Sequence, residues 1–172
     1  MSQTVEQDTR ETILSAITTS AEQAFETMLF TSLSHNGYEP LVDEGEPHGA
    51  ISGSISLTGT INESGKAISC GITLMFEKNV AESFFKAMMM MGDDDPVVEA
   101  ELKDAIGELA NMVAGGAKSS LQDQGIALAI GLPSTVVGEN HNISGPRNAA
   151  RFALVPQSDK GPFTIAVVLS QG

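Results

Sequence analysis

The sequence contains few of the residues that would link it to an oxidising compartment, to nucleic acid or to a lipid surface. Cys70 is the one cysteine among 172 residues, which excludes an internal disulfide and a cage of thiolate metal ligands within one chain. Its apolar neighbours indicate a buried side chain rather than a reactive thiol. Nine lysines and arginines against 22 aspartates and glutamates give a formal net charge of −13. Because phosphate backbones and anionic lipids attract clustered basic residues, we expect neither nucleic acid nor a membrane as a partner.

Long apolar runs are also missing from the sequence. No run approaches the roughly 20 residues needed to cross a bilayer, and the first ten residues are polar and acidic, unlike a secretion signal. We therefore expect a cytoplasmic protein. With 41% hydrophobic and 18% charged residues, the chain is too apolar for disorder and long enough for one packed core. We expect a single domain over residues 1–172, with a flexible segment at 1–10.

The pattern of apolar residues predicts a mixture of helices and strands. Apolar residues three and four positions apart predict three helices, at 9–33, 79–91 and 96–124. Alternation and turn signals predict five strands, at 50–58, 66–76, 126–137, 149–155 and 163–170. Pro133 is expected at a sheet edge or a bulge. The order predicts an α+β fold, in which long helices pack on a mainly antiparallel sheet in two similar helix-strand halves.

Two runs of a single residue type are expected to have structural roles. The four methionines at 88–91 are compatible with an adaptable binding surface, but such runs more often fill irregular core space, and we expect the latter. The three aspartates at 93–95 lack the spacing around a loop that an oxygen cation site needs. We instead expect Asp95 to cap the third helix and Pro96 to occupy its first position.

The most informative segment lies in the third predicted helix. At 3.6 residues per turn, a polar and glycine-containing stripe lies nearly opposite the apolar one and comprises Asp104, Glu108, Asn111, Gly115 and Lys118. A glycine inside a helix costs about 1 kcal/mol relative to alanine, and asparagine is also a poor helix former. The stripe is therefore either a face on which another backbone docks or a solvated face whose glycine pair marks close internal packing. The spacing alone leaves both alternatives open.

This segment resembles the active-site helix of the CheC/CheX/FliY phosphatases, bacterial chemotaxis proteins that dephosphorylate the response regulator CheY. An acidic residue is followed after three residues by Glu108, after two more by Asn111 and after three more by Gly115. The segment 131–141, which begins Gly-Leu-Pro, is also similar to CheX. The resemblance extends over essentially the whole chain after the first ten residues. It implies the α+β fold of that family.

The resemblance also implies roles for individual residues. It implies that Asn111 orients the attacking water at the phosphoaspartate of CheY, and that Glu108 pairs with the regulator's lysine. Asp104 and Gly115 are expected on the partner-binding face, although Asp104 has the alternative of a purely solvating surface role. The phosphorylated residue and Mg²⁺ would belong to the regulator, so we expect no cofactor or metal on this chain. CheX relatives further imply a homodimer formed through the sheets.

The family includes proteins with two motif-bearing helices and proteins with one. In the first predicted helix Glu22 aligns with Glu108, but Phe25 and Leu29 stand where asparagine and glycine belong. We therefore expect one site, which favours CheX over CheC. The alternative function is a non-catalytic, regulator-binding adaptor of the same fold, like the motor-switch relatives. Intact Glu108 and Asn111 favour the phosphatase, because an adaptor has no need of the amide.

Overall fold

In the computed structural model, which describes residues 2–40, 48–142 and 149–171, helices pack against a single antiparallel sheet. The helices are α1 (Ser2–Leu29), α2 (Lys78–Met88) and α3 (Glu99–Asp123). The strands are β1 (Glu39–Pro40), β2 (His48–Ile61), β3 (Ala67–Phe76), β4 (Ile126–Ile130), β5 (Ser134–Asn142), β6 (Ala150–Leu154) and β7 (Thr164–Gln171). Their order in the sheet is β1-β6-β7-β3-β2-β4, and β5 also pairs with β2. The predicted α+β class is confirmed.

The β2–β3 hairpin forms the centre of the sheet. Its register runs from Ile51 opposite Phe76 to Thr60 opposite Ala67, and Gly65 closes the turn with a φ of +69°. The odd-numbered residues of β2 from 51 to 57 are buried. Among the even-numbered ones, Ser56 and Thr58 are exposed, whereas Ser52 is buried as well. The helices cover the buried face. The two strands agree with those predicted at 50–58 and 66–76.

The predicted strand at 126–137 is divided into two strands on the same sheet edge. Both β4 and β5 pair with β2, β4 next to Leu57–Ile61 and β5 next to His48–Ser54. Between them, the Gly131 N–H still donates to the Ser56 carbonyl at 2.8 Å, whereas Pro133 has no N–H to donate. Pro133 thus lies in the connection between β4 and β5 at the sheet edge, in agreement with the expected edge position, and it directly precedes β5.

Helix boundaries differ from the sequence-based expectations. Helix α1 begins at Ser2 and thus runs through most of the 1–10 segment that we expected to be flexible. It ends at Leu29 rather than near residue 33, because Phe30 adopts a left-handed conformation with a φ of 51°. Helix α3 begins at Glu99 with Val98 at its N-cap position, so the expectation that Asp95 caps it is wrong. The Asp95 carboxylate instead accepts a hydrogen bond from the Gly92 N–H at 2.7 Å, which closes a separate turn.

The four methionines do not all fill the core. Met88 and Met91 pack against it, but Met89 is 51% and Met90 is 89% exposed. The physical reason is that α2 ends at Met88 and that Met90 turns the chain with a φ of 55°. The expectation of a core role is therefore wrong for Met89 and Met90. None of the helices in the described ranges is both long and apolar enough to traverse a bilayer.

A cluster of four phenylalanines joins three layers of secondary structure. Phe25 from α1 stacks on Phe163, which precedes β7, with ring centroids 4.8 Å apart, and it meets Phe84 of α2 edge to face at 5.2 Å. Phe76 of β3 completes the cluster, with its ring centroid 5.0 Å from that of Phe163. Cys70 is also buried, as expected, and burial raises the pKa of its thiol to about 12. The thiol is thus protonated and inert at neutral pH.

Replacing Phe25 by alanine tests the role of this cluster. Phe25 is fully buried, so Phe25→Ala leaves a cavity and should lower the free energy of unfolding by roughly 3–5 kcal/mol. Phe30→Ala is the matched control, because that side chain is 84% exposed and its loss should change stability by less than about 0.5 kcal/mol. Urea unfolding followed by circular dichroism measures both. Equal stability of the two variants would contradict the assignment of Phe25 to the core.

Candidate active site on helix α3

Helix α3 is held tightly against the sheet. Ten of its 25 residues are buried, and the helix lies directly over β2 at Gly53. A Cβ atom at Gly53 would lie 2.9 Å from the Ile106 carbonyl oxygen, so a residue other than glycine would push the helix away. On its other flank, the Thr135 hydroxyl of β5 donates to the Lys103 carbonyl at 3.3 Å. These contacts hold the N-terminal half of α3 in place.

Helix α1 fixes the C-terminal half of α3. The buried Ser20 hydroxyl donates to the Val113 carbonyl at 2.7 Å, which ties the two helices together. A Cβ atom at Gly116 would overlap the Ser20 hydroxyl oxygen. Gly116 is therefore explained by packing inside the protein. For this glycine, the structure therefore supports internal packing, which was one of the two alternatives left open by the sequence.

Gly115 has a different environment. A Cβ atom there would meet no other atom within 4 Å, so no contact within the described structure requires glycine at this position. A helix-interior glycine costs about 1 kcal/mol relative to alanine, and nothing in the described residues offsets that cost. The open space beside Gly115 would allow another molecule to approach the helix closely. This agrees with the second alternative, a face on which another backbone docks.

The remaining face of α3 carries the predicted polar stripe. Asp104 and Glu108 are exposed, whereas Asn111, Gly115 and Lys118 are half-buried. Within the described residues, the side chains of Asp104, Glu108 and Asn111 make no hydrogen bond or ion pair. The structure thus brings together all the residues that the sequence assigned to the site. Their polar atoms are available to a partner, and an amide both donates and accepts without changing charge.

Beside this stripe lies a feature that the sequence analysis did not assign to the site. A cleft of about 590 Å³ opens between the C-terminal end of α2 and the first half of α3. Asp104 and Glu108 line a wall of this cleft, and Met88 and Met89 line its floor. The feature of the sequence that pointed to this cleft is the run of four methionines at 88–91, which we expected to fill space in the core. Met89 lies at the site because α2 ends at Met88 and leaves the Met89 side chain 51% exposed beside α3.

The equivalent position on α1 does not form a second site. The Glu22 carboxylate lies 2.8 Å from the His35 ring nitrogen Nε2, so it has an internal partner. Phe25 and Leu29, which replace the asparagine and glycine, are buried in the core. Across the described parts of the chain, no three His, Cys, Asp or Glu side chains are grouped so that they could hold a metal ion. The polar stripe of α3 is therefore the strongest candidate site.

Comparisons with known proteins show the family and the fold of the chain. The family model for the chemotaxis phosphatase CheX matches residues 51–155. A search of curated proteins found no match. Among solved structures, CheX from Desulfovibrio desulfuricans is similar with a TM-score of 0.78 and 26% identity, over 92% of this chain and 99% of that one. A CheC-like protein from Shewanella has a TM-score of 0.79 and 23% identity, over 92% and 97% of the two chains.

A further similar structure contains a partner. The CheX–CheY–BeF₃–Mg²⁺ complex from Borrelia burgdorferi has a TM-score of 0.69 and 17% identity, over 91% of this chain and 96% of that chain. At this identity the likeness concerns the fold. The family-model match covers both the β2–β3 hairpin and helix α3.

The two neighbouring glycines of α3 provide a matched pair of variants. Gly116→Ala should lower the free energy of unfolding, because overpacking against Ser20 costs about 1–3 kcal/mol and outweighs the gain of about 1 kcal/mol in helix propensity. Gly115→Ala should raise it by up to about 1 kcal/mol, because the new methyl group meets open space. Thermal and urea unfolding of both variants measure the difference. A stabilised Gly116→Ala variant would contradict the close contact between α1 and α3.

Proposed function

Because the chain belongs to the CheX family of chemotaxis phosphatases, we propose that it accelerates hydrolysis of the aspartyl phosphate on a CheY-type response regulator. The proposal rests on the outward face of α3, where Glu108 and Asn111 stand nearly one turn apart. Within the described residues, neither side chain has a hydrogen-bond or ion-pair partner. The helix beneath them is held on two sides by β2 and α1. A rigid helix that presents an uncommitted carboxylate and amide can insert both into a partner's site.

Asn111 would orient the water that attacks the phosphorus. Hydrolysis of an acyl phosphate needs a water in line with the bond that breaks, together with cations that neutralise the phosphoryl charge. The amide accepts a hydrogen bond from the water through its oxygen and donates one through its nitrogen. Cys70 offers no alternative nucleophile, because its thiol is buried and its pKa is raised to about 12. We assign the phosphorylated aspartate and Mg²⁺ to the regulator, and no cofactor to this chain.

Glu108 would position the partner rather than the water. Its exposed carboxylate suits an ion pair with the regulator's lysine, and the formal charge of −13 favours a basic surface at the contact. Asp104, one turn before Glu108, adds a second carboxylate to the same face. Gly115, which has open space beside it, would let the partner's backbone approach Asn111 closely. The proposed partner face thus comprises Asp104, Glu108, Asn111 and Gly115.

We further propose that the protein forms a homodimer through the sheet edge made by β4 and β5. Within the described residues these strands pair with β2 and with no strand on their outer side. Their connection and β5 expose Leu132 (91%), Val136 (46%) and Val137 (40%). Exposed strand edges with apolar side chains tend to pair with another chain.

Alanine variants at Asn111 and Glu108 test the phosphatase function. Asn111→Ala should keep regulator binding but slow the accelerated decay on the order of 100-fold, because the lost interaction positions the attacking water. Glu108→Ala should weaken binding roughly tenfold or more, since a hydrogen bond to a charged group contributes about 1.5–3 kcal/mol. Decay of a radiolabelled phospho-regulator at several regulator concentrations measures both effects.

Gln122→Ala is the matched control for these variants. Gln122 is exposed on α3 beyond the proposed face, so its loss should leave decay and binding unchanged. All three variants should stay within about 0.5 kcal/mol of parental stability, because they remove exposed or half-exposed side chains. Regulator binding by the parental chain without accelerated decay would favour the adaptor. Loss of binding in Asn111→Ala with turnover preserved at saturation would make Asn111 a binding residue instead of the one that orients the water. Parental rates in both alanine variants would show that the stripe is only a solvated face.

The dimer is tested by solution mass. Light scattering coupled to size exclusion should give twice the monomer mass at high micromolar concentration. Val136→Lys, which places a charge on the exposed edge strand β5, should return the protein to the monomer mass because edge charges oppose strand pairing. A monomer mass for the parental chain would reject the dimer. Dimers that persist in Val136→Lys would place the interface elsewhere.

A further inference from the structure

The cleft beside the polar stripe has an apolar floor at the surface of an otherwise acidic protein. Phe85 and Met88 at the end of α2, together with Met89 and Met91 just after it, form this floor, and the cleft measures about 590 Å³. Met89 is 51% exposed although methionine gains free energy by burial. Unbranched thioether side chains adapt their shape to an incoming apolar group. We call this feature the methionine groove.

The wall of the methionine groove that α3 forms beside this floor is negatively charged. Glu101, Asp104 and Glu108 line it from successive turns of α3, and no lysine or arginine is among the described residues that line it. These three carboxylates form no ion pair within the described structure. Because Glu108 lines the groove and also stands on the proposed partner face, the groove is continuous with that face.

We propose that the methionine groove receives an apolar side chain that stands beside the lysine on the surface of the response regulator. This inference rests on the proposed function and specifies how the partner is recognised. The three carboxylates of the wall favour a basic segment that carries an apolar side chain, and they oppose an acidic segment in the groove. The lysine would reach Glu108 at the rim while its apolar neighbour displaces water from Met89. Such a contact lies away from the reacting atoms, so it strengthens binding in the ground state and the transition state equally.

Two neighbouring methionines provide a matched test of the groove. Met89→Gln places a polar group of similar length in the floor, whereas Met90→Gln alters a side chain that is 89% exposed and does not line the groove. With a CheY-type regulator phosphorylated by acetyl phosphate, Met89→Gln should raise KM about five- to tenfold with kcat unchanged. Met90→Gln should leave both constants unchanged. Thermal unfolding should show parental stability for both variants, because both side chains are exposed.

A second pair of variants tests the charged wall. Glu101→Gln removes a carboxylate that lines the groove, and Glu63→Gln removes one in the exposed turn after β2, so the two proteins have equal net charge. Glu101→Gln should raise KM about two- to fivefold and weaken its dependence on salt, whereas Glu63→Gln should not. Equal KM values in the two variants would show that net charge alone attracts the regulator.

Binding measured without hydrolysis separates this inference from the proposed function. Titration calorimetry with the same regulator held active by beryllofluoride should show that Met89→Gln raises Kd by the factor found for KM. If the parental chain binds this regulator but does not accelerate decay, the phosphatase function is wrong. The groove is then still tested by comparing the Kd of Met89→Gln with that of the parental chain. If Met89→Gln matches Met90→Gln in both Kd and KM, the groove is not a docking site, although the phosphatase function stands. If the parental chain does not bind the regulator, the assigned occupant is wrong.

Discussion

Close packing of helix α3 between the sheet and helix α1 fixes which side of the helix faces outward. The helix approaches β2 so closely at Gly53 that a side chain there would meet the Ile106 carbonyl. It approaches α1 equally closely at Gly116, where Ser20 donates to the Val113 carbonyl. A helix held on two sides cannot rotate about its axis. Its remaining side, with Glu108 and Asn111, must therefore face outward.

This arrangement separates the residues that stabilise the protein from those proposed to act on a partner. The buried face of α3 and the phenylalanine cluster supply packing, while the polar stripe forms no internal hydrogen bonds within the described residues. A protein that contributes one amide and one carboxylate to a partner's site needs no nucleophile of its own. The buried, protonated Cys70 agrees with such a division. What the proposed activity requires instead is a rigid helix and space around it, and the open position at Gly115 supplies space.

The two helix-strand halves use equivalent helices for different purposes. Glu22 on α1 corresponds in spacing to Glu108 on α3, but His35 contacts it at 2.8 Å. Phe25 stands where α3 has Asn111, and its ring lies within 5.2 Å of those of Phe84 and Phe163. A buried aromatic side chain turns that face of α1 toward the core. One half thus contributes mainly stability, and the other presents the CheX-type stripe.

The local pattern of the sequence determined which residues share a face, because helical and strand periodicities depend only on neighbouring residues. It predicted strands at the positions of β2 and β3 and the burial of Cys70. It also predicted the grouping of Asp104, Glu108, Asn111 and Gly115 on α3. How closely the helices and strands approach one another depends on how they pack in the folded protein, which the local pattern does not show. The close contact with Ser20 accounts for the glycine at position 116, whereas Gly115 has open space beside it. The strand predicted at 126–137 is two strands separated by residues 131–133. Helix α3 begins at Glu99 and not at Pro96. The tertiary structure also places Met89 outside the core, in the cleft beside Glu108. These outcomes depend on distances between residues far apart in the chain, which periodicity and spacing do not contain.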